Sequence, residues 1–352
     1  MRGDRGFMRV LHVLASNRYS GAENVVCQIM GMFSPEEDIE MAYCSPDGQI
    51  RETLLERGYA YYPLKQLNGK ELNKVVKEYR PDVIHAHDMR ASFVVAKTTK
   101  KIPLISHIHN NAFNSRGVSL KSIAYLLAGV RAKHIFWVSE SSFKGYKFHN
   151  LFKKKSSVLY NVIDVNTLYK KMEQDKNEYN YDVVYVGRLT YQKNPERLIK
   201  VLAKVIQEKP DCKVAIVGTG ELEEEVKNLA KELQIDKNID FLGFLSNPLK
   251  IMKDSKVMLM TSRWEGTPMC ALEAMALGLP IVSTPTDGLC ELVTDGETGY
   301  LSDDDDELSR RTVEIVNNTQ KRNNFSIRAK QVSAVINNTH TYKSRLMNHY
   351  KN

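Results

Sequence analysis

Short runs of β-forming apolar residues alternate along almost the whole chain with longer stretches whose apolar residues recur at helical spacing, which leaves few folds open. Parallel strands need long crossovers, and helices supply them, so the pattern predicts doubly wound parallel sheets. It occurs twice. The first set is MRVLHVLA (8 to 15), DVIHAH (82 to 87), PLISHIH (103 to 109) and HIFWVS (134 to 139). The second is YDVVYVGRL (181 to 189), KVAIVGTG (213 to 220), IDFLGF (239 to 244), KVMLMTS (256 to 262) and LPIVST (279 to 284). Between the sets, residues 161 to 180 are polar and irregular, as a linker would be. We therefore expect an α/β chain of two doubly wound, Rossmann-like domains, 8 to 162 and 163 to 330, with a last helix over 331 to 352 returning to the first.

At 352 residues and 42% apolar content there is ample core for two domains. No apolar run reaches membrane-spanning length, and the start lacks a signal-peptide pattern, so the expected location is the cytoplasm. Residues 1 to 7 read as an extension ahead of a start at Met8. Five scattered cysteines without C-x-x-C spacing argue against a disulfide framework and against zinc. The formal charge of +8 is concentrated between 116 and 155, where nine cations meet only Glu140. Such a face asks for an anionic partner, whether membrane surface, phosphorylated substrate or nucleic acid. Within it, Leu120, Ile123, Ala124, Leu127 and Val130 share one helical face, near Lys121, Arg131, Lys133, Lys153, Lys154, Lys155 and the aromatic residues Phe143, Phe148 and Phe152. This is either a core helix with a solvated basic loop or a lipid-facing surface.

Ligands of doubly wound folds bind beyond the carboxyl ends of the strands, which draws Gly21, Glu23, His87, His107, His109 and Ser139 toward one crevice. In VGRLTYQKNPERLI (186 to 199), Arg188 and Lys193 lie in a strand-to-helix loop, able to reach one diphosphate or to stand as solvated charges. In EGTPMCALEAMALG (265 to 278), Thr267 reads as an N-cap, Pro268 as the first helical residue and Gly278 as the stop. The helix start is an anion site in kind. Glu273 then sits in an apolar helix with no cation three or four residues away, so its carboxylate needs another partner. VGTGE (217 to 221) lacks the third glycine of a dinucleotide fingerprint and reads as a tight turn. The histidine pairs His85-x-His87 and His107-x-His109 have no carboxylate or cysteine cluster beside them, so no metal is assigned.

Gly21-x-Glu23, His85-x-His87, His109, Ser139, Gly187-Arg188-Leu189 with Lys193, Glu265-x7-Glu273, and Gly288 with Glu291 then TDGETGYL together resemble family 4 retaining glycosyltransferases of the GT-B fold, from about residue 8 to 302. PLISHIHN is most similar to members that build bacterial capsule, exopolysaccharide or cell-wall glycans. The resemblance implies two domains facing a central cleft, the first binding the acceptor and the second the nucleotide-sugar. It implies transfer of a sugar from a UDP-linked donor to a hydroxyl of a glycan or lipid-linked glycan, with no cofactor and no metal. Arg188 and Lys193 would grip the diphosphate, with the backbone amides in the segment Thr267, Pro268, Met269 and Cys270 beside it. Glu273 would hold the ribose hydroxyls, Glu265 and His109 the donor sugar as catalytic groups, and Gly21 would let backbone approach the substrate. Two departures stand out: Asn161-Val162 where the family has Asn-Gly, and TDGLCELV without a double glycine. The expected partners are a nucleotide-sugar, a glycan or lipid-linked acceptor and, through 116 to 155, the anionic inner face of the cell membrane, and not nucleic acid. An epimerase or phosphorylase on the same fold, or a basic nucleic-acid-binding protein, stay open as alternatives.

Overall fold

The computed structural model describes residues 7–19, 21–33, 38–109 and 116–351, so of the extension only Phe7 is described. The chain divides into two compact units, Met1–Asn161 with Thr339–Asn352, and Val162–Asn338.

In chain order the first unit contains β1 (Met8–Val13), α1 (Gly21–Gly31), β2 (Ile39–Pro46), α2 (Ile50–Glu56), β3 (Ala60–Leu64), α3 (Gly69–Tyr79), β4 (Val83–His87), α4 (Asp88–Thr98), β5 (Leu104–Ile108), α5 (Leu120–Arg131), β6 (His134–Trp137), α6 (Glu140–Gly145) and β7 (Ser156–Val158). Its strands are all parallel, in the order β3-β2-β1-β4-β5-β6-β7. The winding therefore reverses between β1 and β4, and the crevice of such a sheet opens there.

The second unit contains α7 (Val165–Met172), β8 (Val183–Val186), α8 (Pro195–Glu208), β9 (Val214–Val217), α9 (Glu223–Glu232), β10 (Ile239–Gly243), α10 (Leu249–Asp254), β11 (Val257–Met260), α11 (Met269–Leu277), β12 (Ile281–Ser283), α12 (Asp287–Cys290), β13 (Gly299–Leu301), α13 (Asp305–Asn317) and α14 (Thr319–Ile336). Its parallel order, β10-β9-β8-β11-β12-β13, reverses between β8 and β11. Val183, Tyr185, Val214, Ile216, Val257 and Leu259 form the core with Leu198, Leu202 and Val205 of α8. The acidic run at 303 to 306 does more than meet solvent. Asp304 caps α13, Asp303 and Asp305 hold Arg197 at 2.7 and 2.6 Å, and Asp306 pairs with Lys204.

The segment read as an irregular linker holds α7, capped by Asp164, whose carboxylate accepts from the Asn166 and Thr167 amides. Its Leu168 is buried and its Tyr169 hydroxyl donates to the Ala276 carbonyl at 3.0 Å. The helix expected over 331 to 352 is also divided differently. Residues up to Ile336 complete α14 in the second unit, and α15 (Thr339–Lys351) packs in the first. There Tyr342, Leu346 and Tyr350 are buried, and His349 stacks on His134 with 3.6 Å between ring centres.

Helix α5 is capped by Ser119 in a reciprocal box with Ser122. Its buried face is Ser122, Tyr125, Ala128 and Gly129, while the apolar stripe of Leu120 (88% exposed), Ile123, Leu127 and Val130 (69%) lies outward. The helix therefore packs in the core through Tyr125 and Ala128, and not through the apolar stripe read from the sequence. The cations divide in two. Arg131 donates to the Thr99, Lys100 and Ile102 carbonyls, Lys133 to His349, and Lys155 to the last carbonyls of α5, so these three close the fold. Lys121, Lys147, Lys153 and Lys154 are exposed. Phe152 is buried against Gly129, and Phe143 and Phe148 pack on the core, so the aromatic residues expected at a surface are interior.

Candidate active site

At the switch point of the second sheet, β8 runs into Gly187-Arg188-Leu189 and β11 into residues 261 to 268. The first loop is seated on the turn after β9 by two backbone bonds, Gly187 N–H to Val217 O at 3.0 Å and Leu189 N–H to Thr219 O at 2.9 Å. The two chains come so close that a Cβ on Gly218 would stand 1.9 Å from Gly187 O, and one on Gly220 2.1 Å from Leu189 O. Gly218 also has φ +134°. The glycines read as a tight turn are thus the seat of the Arg188 loop. A Cβ on Gly288 would likewise lie 1.2 Å from Gly266 O, so the single glycine of TDGLCELV supports the other loop.

The loops are also tied to each other. Arg263 N–H donates to Gln192 O at 2.8 Å, Gln192 Nε2 to Trp264 O at 3.1 Å, and the Thr261 hydroxyl to Asn194 O at 3.0 Å. Asn194 is left-handed (φ 53°) and Pro195 opens α8 behind it. This places Lys193 Nζ 2.6 Å from Glu265 Oε1, an oxygen that also accepts from the Ser262 hydroxyl at 2.6 Å. Glu265 is buried. Burial opposes the Lys193 charge, but the Glu265 carboxylate prevails and holds the ammonium above its ordinary range. Removing either partner of so buried a pair typically costs about 3–5 kcal/mol. Arg188 is exposed, and its guanidinium has no hydrogen-bond or ion-pair partner among the described residues.

Helix α11 starts later than its sequence suggests. Thr267 is not the N-cap. Pro268 is, in extended conformation (φ −69°, ψ 124°), because its carbonyl takes the first helical bonds, from Ala271 and Leu272. The Met269 and Cys270 amides fall in the first turn, where an α-helix has no acceptors of its own. Gly278 ends the helix at φ 74°. Burial pushes the Cys270 thiol up to about 12, so it stays neutral. Glu273 is the one acid of the helix, partly buried, and among the described residues no hydrogen-bond partner is found for it. Desolvation raises its carboxyl to about 7 against the pull of the Lys171 ammonium, a cation from α7 that local spacing along the sequence did not reveal.

In the first unit, α1 begins at Gly21. A Cβ at Gly21 meets no atom within 4 Å, so crowding inside the chain does not demand this glycine. Ser139 is an N-cap, its hydroxyl accepting from the Ser142 amide. The strand register sets His12 beside His85 and His87 beside His107. His12, which sequence reading passed over because it lies inside a strand, joins the others in a buried cluster. His12 Nδ1 is 3.0 Å from His87 Nε2, His87 Nδ1 is 2.8 Å from His109 Nε2, and His85 Nδ1 is 2.7 Å from the Tyr350 hydroxyl. The His109 amide donates to Asp88 at 2.9 Å. Two triplets, His12-His85-His87 and His87-His107-His109, have nitrogens within 4.8 Å of one another. The rings of His85 and His87 are stacked, 4.3 Å apart and inclined by 28°.

The loops after β8 and β11 thus bring Lys193, Glu265 and the start of α11 to the switch point of a parallel sheet, where ligands of such folds bind. The sequence family described as Glycosyltransferase Family 4 matches residues 20–167, and that described as Glycosyl transferases group 1 matches 169–332. The chain belongs to the family 4 glycosyltransferases of the GT-B fold. It is 29% identical over 252 residues to a glycosyltransferase of Methanocaldococcus jannaschii, a match spanning 63% of this chain and 60% of that protein. It is 25% identical over 333 residues to the UDP-Gal:alpha-D-GlcNAc-diphosphoundecaprenol alpha-1,3-galactosyltransferase of Escherichia coli, covering 86% and 85%. Anabaena Alr3699/HepE in complex with UDP-glucose has the same fold, with TM-score 0.84 at 23% identity over 97% and 98% of the two chains.

Two outcomes follow from this geometry. Gly218→Ala should lower the melting temperature by several degrees, by the loss of more than about 1 kcal/mol expected of a side chain forced into a glycine conformation. Calorimetry at pH 7 measures it, and an unchanged melting temperature would contradict the backbone seat. The second concerns Glu273, whose folded pKa of about 7 lies above the ordinary carboxylate value. The folded state then holds this proton more tightly than the unfolded one, so its contribution is most favourable in acid and is lost as pH rises to about 7. Glu273→Gln should therefore raise the melting temperature of the unliganded protein at pH 8 and leave it nearly unchanged at pH 4.5.

Proposed function

We propose that the protein is a retaining glycosyltransferase that moves a sugar from a UDP-linked donor to a hydroxyl of a glycan or lipid-linked glycan. The observation that carries this is the charge pattern of the second unit: exposed Arg188 with no hydrogen-bond or ion-pair partner among the described residues, Lys193 held by Glu265 in the adjoining loop, and Glu273 in α11 with no hydrogen-bond partner found. A diphosphate suits the cations and amides, and a ribose diol suits the carboxylate. Arg188 brings a planar fork and Lys193 a point charge, and the Met269 and Cys270 amides, in the segment opened by Thr267 and Pro268, complete the anion site. As UDP leaves, its developing charge is met by groups already in place, so no metal is needed for this step. Glu265 faces the donor sugar, with Ser262 and Lys193 fixing its Oε1. His109 and Gly21 of the first unit serve the sugar and acceptor. The name of the Escherichia coli relative, with UDP-Gal and a diphosphoundecaprenol acceptor, supports this class of substrates.

The test is a screen of UDP-sugars against glycan and polyprenyl-diphosphate acceptors. Turnover should persist in EDTA. Arg188→Ala and Lys193→Ala should each weaken UDP binding by roughly 10- to 100-fold, the effect of one charge-assisted bond of about 1.5–3 kcal/mol. Glu265→Gln should lower kcat by about 10²-fold. Normal transfer by both cation variants would reject the diphosphate assignment, and conversion of donor without acceptor would point to an epimerase.

The same reading places the acceptor at a membrane. No helix among the described residues is long and apolar enough to cross one. The outward stripe Leu120, Ile123, Leu127 and Val130, flanked by Lys121, Lys153 and Lys154, suits an anionic lipid surface, each cation contributing about 1 kcal/mol and the aliphatic side chains entering the interface. Vesicles with anionic lipid should bind the protein and release it in salt. Lys153→Ser with Lys154→Ser, which spares Lys155 at the end of α5, should weaken that binding and leave transfer to a soluble acceptor intact. Equal affinity for neutral vesicles would refute the lipid surface.

A further inference from the structure

We propose that Asp88 positions His109 for the transfer reaction by holding its main chain where β5 has ended; the inference rests on the assignment of His109 to that reaction. Strand β4 ends at His87 and α4 opens at Asp88, so the main chain that pairs with β5 as far as His87 beside His107 leaves the sheet at this point. His109 lies one residue beyond β5, and among the described residues its amide finds no backbone acceptor. Asp88 Oδ1 takes that place at 2.9 Å. Its neighbour His87 holds the ring of the same residue, with Nδ1 2.8 Å from His109 Nε2. Two consecutive residues thus grip one histidine, by its amide and by its imidazole.

The backbone around Asp88 is committed to this contact. Asp88 has φ 65°, a left-handed conformation that costs most residues with a side chain and that aspartate tolerates better than most. An aspartate in the first turn of a helix ordinarily caps its free amides or faces its positive end. Among the described residues Asp88 accepts from no amide of α4, and its carboxylate turns to the end of β5 instead. The Asp88 carbonyl is fixed in turn, accepting from the Ser92 hydroxyl at 2.8 Å. Ser92 continues through Ser106 of β5 to Tyr125 of α5 in a buried line of hydroxyls, 2.8 Å apart at each step. Helices α4 and α5 and strand β5 therefore hold the residue whose side chain holds His109. Backbone strain kept in place by its surroundings is a mark of sites where geometry serves function. Asp88 touches no substrate in this scheme. It acts through the place from which the His109 ring projects.

Asp88→Gly separates this role from a purely structural one, because glycine adopts the left-handed conformation freely and only the carboxylate is lost. The full chain labelled with ¹⁵N-histidine displays the backbone amides of its histidines, and His109→Gln identifies the one in question. In the native chain that amide proton should resonate downfield and exchange slowly, as a donor to a carboxylate. In Asp88→Gly it should move upfield and exchange faster, and kcat should fall about tenfold with the donor KM nearly unchanged. Asp88→Asn keeps an acceptor oxygen, uncharged and roughly half as strong, so its kcat should fall only about threefold. If the glycine variant does not fold, Asp88→Asn decides alone, by a partial upfield shift together with that smaller loss. A His109 amide unmoved by either substitution, a native kcat in a variant whose amide has moved, or a loss confined to the donor KM would overturn the proposal. Failure of the transfer reading looks different: no form turns over a donor, while the His109 amide still responds to Asp88.

Discussion

The geometry of the second unit depends on main chain packed against main chain. Gly218 lies against Gly187, Gly220 against Leu189, and Gly288 against Gly266. These contacts leave no room for side chains, so the loops after β8 and β11 are set by backbone positions and not by flexible groups. Arg188 and Lys193 are long side chains with much rotamer freedom. Their usefulness toward a ligand rests on the rigidity of the chain that carries them, because an anchored loop loses less entropy when its charges engage.

On that frame the charges are left deliberately unequal. Lys193 is neutralised by Glu265 and Ser262, in a buried pair whose geometry is nearly that of a finished structure. Arg188 and Glu273 have no such partner among the described residues. A buried polar group without a partner costs free energy, and the raised pKa of Glu273 is that cost expressed as a proton affinity. Glu273 bears that cost, whereas Arg188 is exposed and meets water. The folded chain is thus less stable than it needs to be at Glu273.

The doubly wound repetition was legible because apolar runs and helical spacing report burial directly, and His87, His109 and Arg188 lie at or just beyond the ends of β4, β5 and β8. Short or edge strands were not: β3 carries Pro63, β7 has only three residues, and both are partly exposed. Helix α7 hid in a polar segment because its buried contribution rests mainly on Leu168. Thr267 looked like a cap by residue type, yet the proline carbonyl after it took that part. Lys155 and Arg131 looked like surface charge, since a side chain turned back onto carbonyls leaves no mark in composition. Lys171 escaped notice beside Glu273 because the pair is formed by packing across the unit and not by spacing along one helix.

The first unit shows the same limit more sharply. His85 and His87 stand out by alternation, but whether a buried imidazole is satisfied depends on residues far away in sequence. The partner of His85 is Tyr350, two residues from the end of the chain, and that of His134 in stacking is His349. The histidine face of the sheet is therefore completed only when α15 returns from the second unit to the first. His107 keeps both nitrogens without a partner, and His87 has none to spare. Within one stack of like residues the fold has made some rings structural and linked others into a line that ends at His109. The residue type is shared by all of them, and only the packing around each ring separates these parts.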